Sequence, residues 1–247
     1  MKHLKAVFWD IDGTIADTEL EGHRIAFNKA FNSFNLDWYW NRTIYIKLLT
    51  IGGGKNRIKK FSQIRGFDLT DEKILEIHRL KTNYYQQILD SGQLKLREGV
   101  RRLVDELQFN NVKQWIVTTS SYEAAKPLLL SNFNSENFPF DGLITSEDVE
   151  NHKPHPQPYL LALQKSKIDS TNVLSIEDSL IGLRSASLAN IKCLITLTQW
   201  SKYTIKQMND SIAVVDSLGD PNHSINVLKG RPADSGLVDM DYLSNLL

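Results

Sequence analysis

Residues 6–19 read AVFWDIDGTIADTE and place two aspartates directly after a short apolar run. The run AVFW is typical of a strand that is buried on both faces. Gly13-Thr14 follows the two aspartates, Asp10 and Asp12, and Asp-Gly is also ordinary turn chemistry. Two carboxylates this close repel each other, so their presence needs an explanation. Whether they belong to a simple turn or to a reaction centre depends on the motifs elsewhere in the chain.

Apolar runs like this one recur along the chain and alternate with segments of helical period. The predicted strands are residues 5–9, 115–119, 142–145, 173–177, 192–196 and 212–215. Between them, apolar residues repeat on one side of a helix: Val100, Leu103, Val104 and Leu107, then Tyr159, Leu160 and Leu163, then Ile181, Leu183 and Ala186. This alternation predicts an α/β fold, with a Rossmann-like parallel sheet and right-handed crossovers.

One long segment after the first strand contains helical patterns only. It includes residues 19–34, 41–51 and 71–89, the last beginning at Thr70 or Asp71 as helix cap. An insertion of this length is too large for a loop. We therefore predict an all-α cap domain at residues 19–91, inserted into a core of residues 1–18 plus 92–247.

Composition restricts the class of protein. The chain has 247 residues, 41% of them hydrophobic, and its 29 basic residues balance its 29 acidic ones. A net charge of zero argues against nucleic acid as a partner. Cys193 is the single cysteine, which suits a reducing compartment. With no long apolar run and no leader-like start, we expect a cytoplasmic protein without a membrane partner.

Polar side chains follow several of the predicted strands, where a parallel sheet binds its ligands. They are Asp10 and Asp12, then residues 118–121 (TTSS), then Lys153 in NHKPHPQPY, and then Glu177 and Asp178. Carboxylates from two strands can hold a hard cation such as Mg²⁺. A lysine, hydroxyl groups and backbone N–H groups at a helix start can bind a phosphoryl group.

These residues resemble the haloacid dehalogenase superfamily of phosphotransferases, whose four motifs appear here in order. DxDGT is at 10–14, a strand-end hydroxyl at Thr119, the lysine at Lys153 and an acidic pair at 177–178. The resemblance implies that Asp10 is the nucleophile and forms an aspartyl-phosphate, while Asp12 is the acid and base. It also implies a set of binding residues: Thr119, Ser120 and Lys153 for the phosphate, and for Mg²⁺ Asp10, the Asp12 carbonyl, Asp178 and Glu177, the last as ligand or as supporting acceptor.

The helical segment is similar to the CbbY subgroup, whose members remove a phosphate from xylulose 1,5-bisphosphate. The similarity lies in DTELEGHRIAFN (17–28) and IGGGKNRI (51–58), and SLGDP (217–221) in the tail region also looks like members of this subgroup. It implies a lid that selects the sugar and a second anion site at the turn formed by residues 52–54. The implied substrate-binding residues are Glu19, His23, Tyr45, Gly53, Gly54, Lys55 and Lys81.

The sequence thus predicts a Mg²⁺-dependent sugar-phosphate phosphatase with a sugar bisphosphate as its small-molecule substrate. A phosphomutase of the β-phosphoglucomutase type shares the motifs and stays open as an alternative, because the motifs do not say whether water or a sugar hydroxyl attacks the phosphoenzyme. A non-catalytic binding or regulatory protein is the other alternative, against which the intact Asp10, Asp12, Lys153 and Asp178 argue. We expect a monomer, in the plastid stroma if the chain is a mature plant or algal protein.

Overall fold

The computed structural model describes residues 3–51, 53–92, 94–133, 136–201 and 204–247. The chain forms two compact units, an α/β unit of Met1–Ala16 and Lys95–Leu247 and a helical unit of Asp17–Leu94. The domain boundaries predicted from the sequence, 18/19 and 91/92, lie two or three residues from the limits of these units. Of the described residues, no helix combines the length and apolar character that a membrane span requires.

The α/β unit contains a seven-stranded sheet of order β3-β2-β1-β4-β5-β6-β7. The strands are β1 Ala6–Trp9, β2 Lys113–Val117, β3 Gly142–Ile144, β4 Val173–Glu177, β5 Lys192–Thr196, β6 Ala213–Val215 and β7 Val227–Lys229. The first six are parallel, and β7 runs antiparallel to β6. The predicted α/β fold with a mainly parallel sheet is confirmed, and β7 is an addition that the sequence did not suggest.

Nine α-helices complete the described part of the chain. They are α1 Arg24–Ser33, α2 Arg42–Leu48, α3 Gly54–Ile64, α4 Asp71–Asp90, α5 Val100–Phe109, α6 Tyr122–Asn132, α7 Gln157–Ser166, α8 Leu180–Leu188 and α9 Met240–Leu246. α3 is missing from the sequence prediction because its first residue is one of three consecutive glycines, which favour a break. Thr70 caps α4 by accepting a hydrogen bond from the Lys73 backbone N–H.

The central strands are apolar because both faces of the sheet are covered. All four residues of β1 are fully buried, and Phe8 lies opposite Trp115 of β2 and Ser175 of β4. Phe8 also packs at 6.5 Å from the Tyr159 ring of α7, in a core that includes the buried thiol of Cys193 on β5. Strand β1 is therefore fixed on both sides, and the chain leaves it at Asp10.

The helices of the α/β unit bury the predicted faces only in part. The four apolar residues of α5, Val100 to Leu107, are all fully buried. In α7 the buried side chains are Pro158, Tyr159 and Ala162, whereas Leu160 is 47% exposed. Ile181 of α8 is 53% exposed. The loose repeats predicted these two helices correctly but assigned one residue of each to the wrong face.

Aromatic side chains form the core of the helical unit. Trp40 is fully buried and packs its ring against Phe27 and Phe31, each at 4.7 Å, while Trp38 packs against Phe61 at 5.5 Å. Both tryptophans are therefore packing residues of this aromatic core. A π-helical turn, Glu19–His23, precedes α1 and opens the unit.

Candidate active site

Three neighbouring strands, β2, β1 and β4, end side by side in the α/β unit. Asp10 directly follows β1, Thr118 follows β2, and Glu177 is the last residue of β4. Between β3 and β4 the chain changes to the other side of β1, which is the switch point where open parallel sheets bind ligands. The topology therefore collects the predicted motif residues at one edge.

Lys153 lies at the centre of this group and is almost completely buried. Its Nζ donates to Asp10 Oδ1 at 2.8 Å, to Glu177 Oε1 at 2.6 Å and to the Val117 carbonyl at 2.6 Å. Burial alone would lower the pKa of Lys153, but the carboxylates of Asp10 and Glu177 outweigh it and raise the pKa above its usual value. Lys153 therefore stays charged at every physiological pH.

Glu177 is held by two donors at one of its oxygens. Oε1 accepts from Lys153 and, at 2.6 Å, from the Tyr159 hydroxyl of α7, while buried Oε2 has no hydrogen-bond partner among the described residues. Burial raises the pKa of Glu177 to about 7, against the attraction of Lys153. A Cβ at Gly182 would lie 1.8 Å from Oε2, so only glycine lets α8 pass this close.

Asp12 lies in a tight turn after β1. The Ile11 carbonyl accepts from the backbone N–H groups of Thr14, Ile15 and Ala16, and Gly13 adopts φ +87°. The Ser120 hydroxyl donates to Asp12 Oδ2 at 2.5 Å, across from the end of β2. Ser120 therefore contacts the residue to which the motif assigns proton transfer.

The hydroxyls that follow β2 have different surroundings. Thr118 is 1% exposed, and its Oγ1 accepts from the Ser120 backbone N–H at 3.0 Å. Thr119 is exposed, and Ser121 caps α6 by accepting from the Ala124 backbone N–H. An inward Thr118 beside an outward Thr119 agrees with the alternation expected along a strand. The assignment of Thr119 to the phosphate stays a prediction.

The acidic residues form a cluster of carboxylate oxygens, which are suitable ligands for a hard cation. Single carboxylate oxygens of Asp10, Glu177 and Asp178 lie within 4.8 Å of one another. Burial, with Asp10 and Glu177 close by, raises the pKa of Asp178 well above its usual value. Ser179 caps α8 by accepting from the Gly182 backbone N–H. Carboxylate oxygens this close repel one another, and Glu177 also has the unpartnered Oε2; this oxygen-rich set fits Mg²⁺, whose ligands are oxygens.

In the helical unit, Glu19 and Tyr45 are in direct contact. The Tyr45 hydroxyl donates to Glu19 Oε2 at 2.6 Å, and Arg57 of α3 lies 3.3 Å from the hydroxyl and 3.6 Å from the carboxylate. Burial and the Glu19 charge raise the pKa of Tyr45 well above its usual value. Arg57 therefore fixes two of the predicted substrate residues to each other.

His23 and Lys81 form a second pair inside the helical unit. Lys81 Nζ lies 2.8 Å from His23 Nδ1 and about 5.0 Å from the ring centres of both Phe27 and Tyr85. Burial, followed by the charge of Lys81, lowers the pKa of His23 well below its usual value. A neutral imidazole that accepts at Nδ1 carries its proton on Nε2.

The predicted anion site begins at the turn before α3. Gly53 adopts φ +82°, Gly54 is the first residue of α3, and Lys55 is exposed. These residues line a cavity of about 610 Å³ in the helical unit, together with His78 of α4. Burial and the nearby lysines 81 and 55 lower the pKa of His78 to about 4. Gly52, also predicted for this turn, lies outside the described residues.

Two residues close to the site were not found from the sequence. Tyr159 was predicted only as part of a helix face. Its position six residues after Lys153 places it near the motif lysine in sequence and could have indicated that it lies close to the site. Arg97 donates to the Gly13 and Leu197 carbonyls. No pattern around Arg97 indicates this contact, because a single arginine before Glu98-Gly99 is an ordinary surface sequence.

Comparison with known proteins agrees with this geometry. Residues 7–196 match the family model of haloacid dehalogenase-like hydrolases. The chain is 36% identical to protein CbbY of Rhodobacter capsulatus over 81% of this chain and 88% of that protein. It is 33% identical to a CBBY-like protein of Arabidopsis thaliana, over 87% of this chain and 70% of the relative.

A solved structure of similar fold is a mutant of CbbY from Rhodobacter sphaeroides in complex with xylulose-(1,5)bisphosphate. It is 30% identical, covers 88% of this chain and 96% of its own, and superposes with a TM-score of 0.73. The family match extends from the first residues of β1 to the end of β5 and so includes all four motifs. The chain therefore belongs to the haloacid dehalogenase-like hydrolase family and is a phosphatase of its CbbY group.

Proposed function

We propose that this enzyme is a Mg²⁺-dependent phosphatase that converts xylulose 1,5-bisphosphate to xylulose 5-phosphate through an aspartyl-phosphate. One observation carries the chemistry: the Asp10 carboxylate lies 2.8 Å from buried Lys153, beside an Asp12 carboxyl group bonded to Ser120. The choice of substrate is supported by the 30% identical CbbY structure, which contains this sugar bisphosphate.

In the first step Asp10 is the nucleophile. A carboxylate oxygen of Asp10 bonds to phosphorus, the bond from phosphorus to the sugar oxygen breaks, and Asp12 gives its proton to that oxygen. Lys153, held by Asp10 and Glu177, provides a fixed positive charge for the transferring phosphoryl group. The Ser120 hydroxyl orients the Asp12 carboxyl group for the proton transfer.

In the second step Asp12, now ionised, removes a proton from water as that water attacks the phosphorus. The aspartyl-phosphate bond breaks, inorganic phosphate leaves and the Asp10 carboxylate returns. A positioned acid and base of this kind contributes roughly 10²–10⁴-fold in rate. Asp10, Asp178 and the Asp12 carbonyl, with Glu177 as a ligand or a supporting acceptor, would hold Mg²⁺. When bound, the metal neutralises phosphate charge.

The second phosphate of the substrate needs its own anion site, which we assign to the helical unit. Gly53 and Gly54 supply backbone N–H groups at the start of α3, and Lys55 supplies an exposed ammonium group. Glu19 and Tyr45 form a hydrogen-bonded pair suited to sugar hydroxyls, and His23 with Lys81 offers a further polar pair.

Phosphate release and sugar products should be measured with xylulose 1,5-bisphosphate, ribulose 1,5-bisphosphate and β-glucose 1-phosphate. We expect the highest kcat/KM with xylulose 1,5-bisphosphate, with one phosphate released per xylulose 5-phosphate formed. Activity should disappear with a chelator and return with Mg²⁺. A preference for β-glucose 1-phosphate, with an isomerised sugar phosphate and no free phosphate, would contradict the proposal and favour a phosphomutase.

A further inference from the structure

Arg97 connects two loops at the edge of the sheet that holds the acidic cluster. Its guanidinium donates to the Gly13 carbonyl in the turn after β1, and to the Thr196 and Leu197 carbonyls at the end of β5. Its backbone N–H donates to the Ile15 carbonyl at 2.8 Å. The planar, multi-donor guanidinium can hold several acceptors in one fixed geometry.

The turn that Arg97 holds lies directly against Asp178. A Cβ at Gly13 would be 2.1 Å from Asp178 Oδ2 and 3.2 Å from the Thr198 methyl group, so the backbone at Gly13 touches the carboxylate from one side. The Arg97 charge acts in the direction that lowers the pKa of Asp178, against the larger effects of burial and Asp10. Arg97 thus acts on the turn through hydrogen bonds and on Asp178 through its charge.

We propose that Arg97 is a positioning residue of the metal site, which fixes the Gly13 turn to the end of β5 and so holds the Asp12 carbonyl and the Asp178 carboxylate in place. Arg97 does not touch the reacting atoms in this role. The proposal rests on the Mg²⁺ dependence of the proposed function. No described contact of Glu177 or Lys153 provides this link between β1 and β5.

The sign of the effect distinguishes positioning from simple electrostatics. Removing a positive charge close to the carboxylates would by itself strengthen the binding of a cation. Loosening the turn that carries a ligand would weaken it. Replacing the partners that orient metal ligands typically costs about tenfold to about 100-fold in metal affinity. Weaker binding after loss of Arg97 therefore indicates positioning, because the change in charge predicts the opposite.

The test measures Mg²⁺ binding by titration calorimetry, without substrate, in the wild-type enzyme and in Arg97→Gln. We expect the Kd of Arg97→Gln to rise by about tenfold or more. Hydrogen exchange in metal-free protein supplies the second measurement, with faster exchange expected for the amides of residues 13–16. Arg97→Lys keeps the charge but has no planar fork, so it should change in the same direction and serves if Arg97→Gln does not fold.

Arg102 offers a matched control in the same unit. It also donates to backbone carbonyls, those of Leu218, Gly219 and Val238, which belong to the C-terminal segment. Arg102→Gln should lose stability and leave Mg²⁺ affinity unchanged. An unchanged or lower Kd in Arg97→Gln, or unchanged exchange at residues 13–16, would overturn the proposal. If the wild-type enzyme binds no Mg²⁺, the metal dependence fails and hydrogen exchange alone decides the role of Arg97.

Discussion

Each of the two units buries one lysine that the sequence assigns to the site, and the two lysines have different partners. Lys153 in the α/β unit contacts the carboxylates of Asp10 and Glu177. Lys81 in the helical unit contacts the imidazole of His23 and the rings of Phe27 and Tyr85. Both side chains are less than a tenth exposed, so burial alone does not distinguish them.

The difference shows how the partner determines what a buried charge does. Carboxylates keep Lys153 charged and at the same time need it, because a buried ion pair that loses one member leaves an unpaired charge. Aromatic rings and a neutral imidazole interact with an ammonium group more weakly than a carboxylate does, and the Lys81 charge adds to burial in keeping His23 neutral. This contrast is in keeping with the roles proposed above, chemistry for the α/β unit and substrate selection for the helical unit.

The largest expected effect is the loss of turnover in Asp10→Asn. An amide cannot attack phosphorus, so kcat should fall by about four orders of magnitude or more, as in enzymes that lose their nucleophile. Phosphate release gives the rate, and circular dichroism checks that the variant is folded. Appreciable Mg²⁺-dependent turnover in this variant would remove Asp10 from its role and weaken the assignment of chemistry to this unit.

The two lysines themselves give the second prediction. Lys153→Met should abolish activity and lower the free energy of unfolding by about 3–5 kcal/mol, because two buried carboxylates lose their partner. Lys81→Met removes the hydrogen bond to His23 but places an apolar side chain beside the Phe27 and Tyr85 rings, so we expect a smaller loss. Urea unfolding of both variants measures the difference. Equal losses would show that the partners do not distinguish the two lysines.

Lys55→Ala gives a smaller and more selective effect. If Lys55 binds the second phosphate, its loss should lower kcat/KM for bisphosphates by about tenfold, or about 1.4 kcal/mol, and leave monophosphates nearly unchanged. Lys60→Ala is the matched control, since Lys60 lies on the same helix and is exposed, but does not line the cavity. Equal losses on both substrate classes would exclude this role.

The last prediction concerns the pH dependence of stability. The pKa of His78 is about 4 in the folded protein, below its ordinary value of 6.5, so the unfolded chain binds more protons between these values. This contribution to stability is complete above pH 6.5 and is lost as pH falls towards 4. His78→Gln should flatten the rise of unfolding free energy with pH, as measured by urea titrations. If His78→Gln leaves the slope of unfolding free energy against pH unchanged, His78 does not make this contribution.

The sequence predicted side-chain positions best for residues that lie at the end of a buried strand. Asp10 and Glu177 follow or end buried strands, so their meeting at one edge follows from a parallel sheet. Lys153 lies in a loop, yet it is the basic residue that reaches them. The α3 helix was not predicted, since the consecutive glycines before it favour a break and tertiary packing overrides that preference.

Long-range contacts explain the remaining differences. β7 is only three residues long and forms by pairing with β6, with no alternation of its own to indicate it. Arg97 meets Gly13 and Leu197 across 84 and 100 positions of the chain, a contact that local spacing cannot reveal. The Tyr45–Glu19 bond was missed for the same reason, although both residues were selected individually.

The buried thiol on β5 also provides a natural probe for the rate of local opening. Cys193 is the single cysteine of the chain and is 1% exposed in the core cluster that includes Tyr159 of α7 and Leu183 of α8, where burial raises the pKa of its thiol. A thiol reagent added in solution can reach it only after the core between the sheet and these helices opens. The rate of labelling at one atom therefore reports how often this core opens, without any engineered probe.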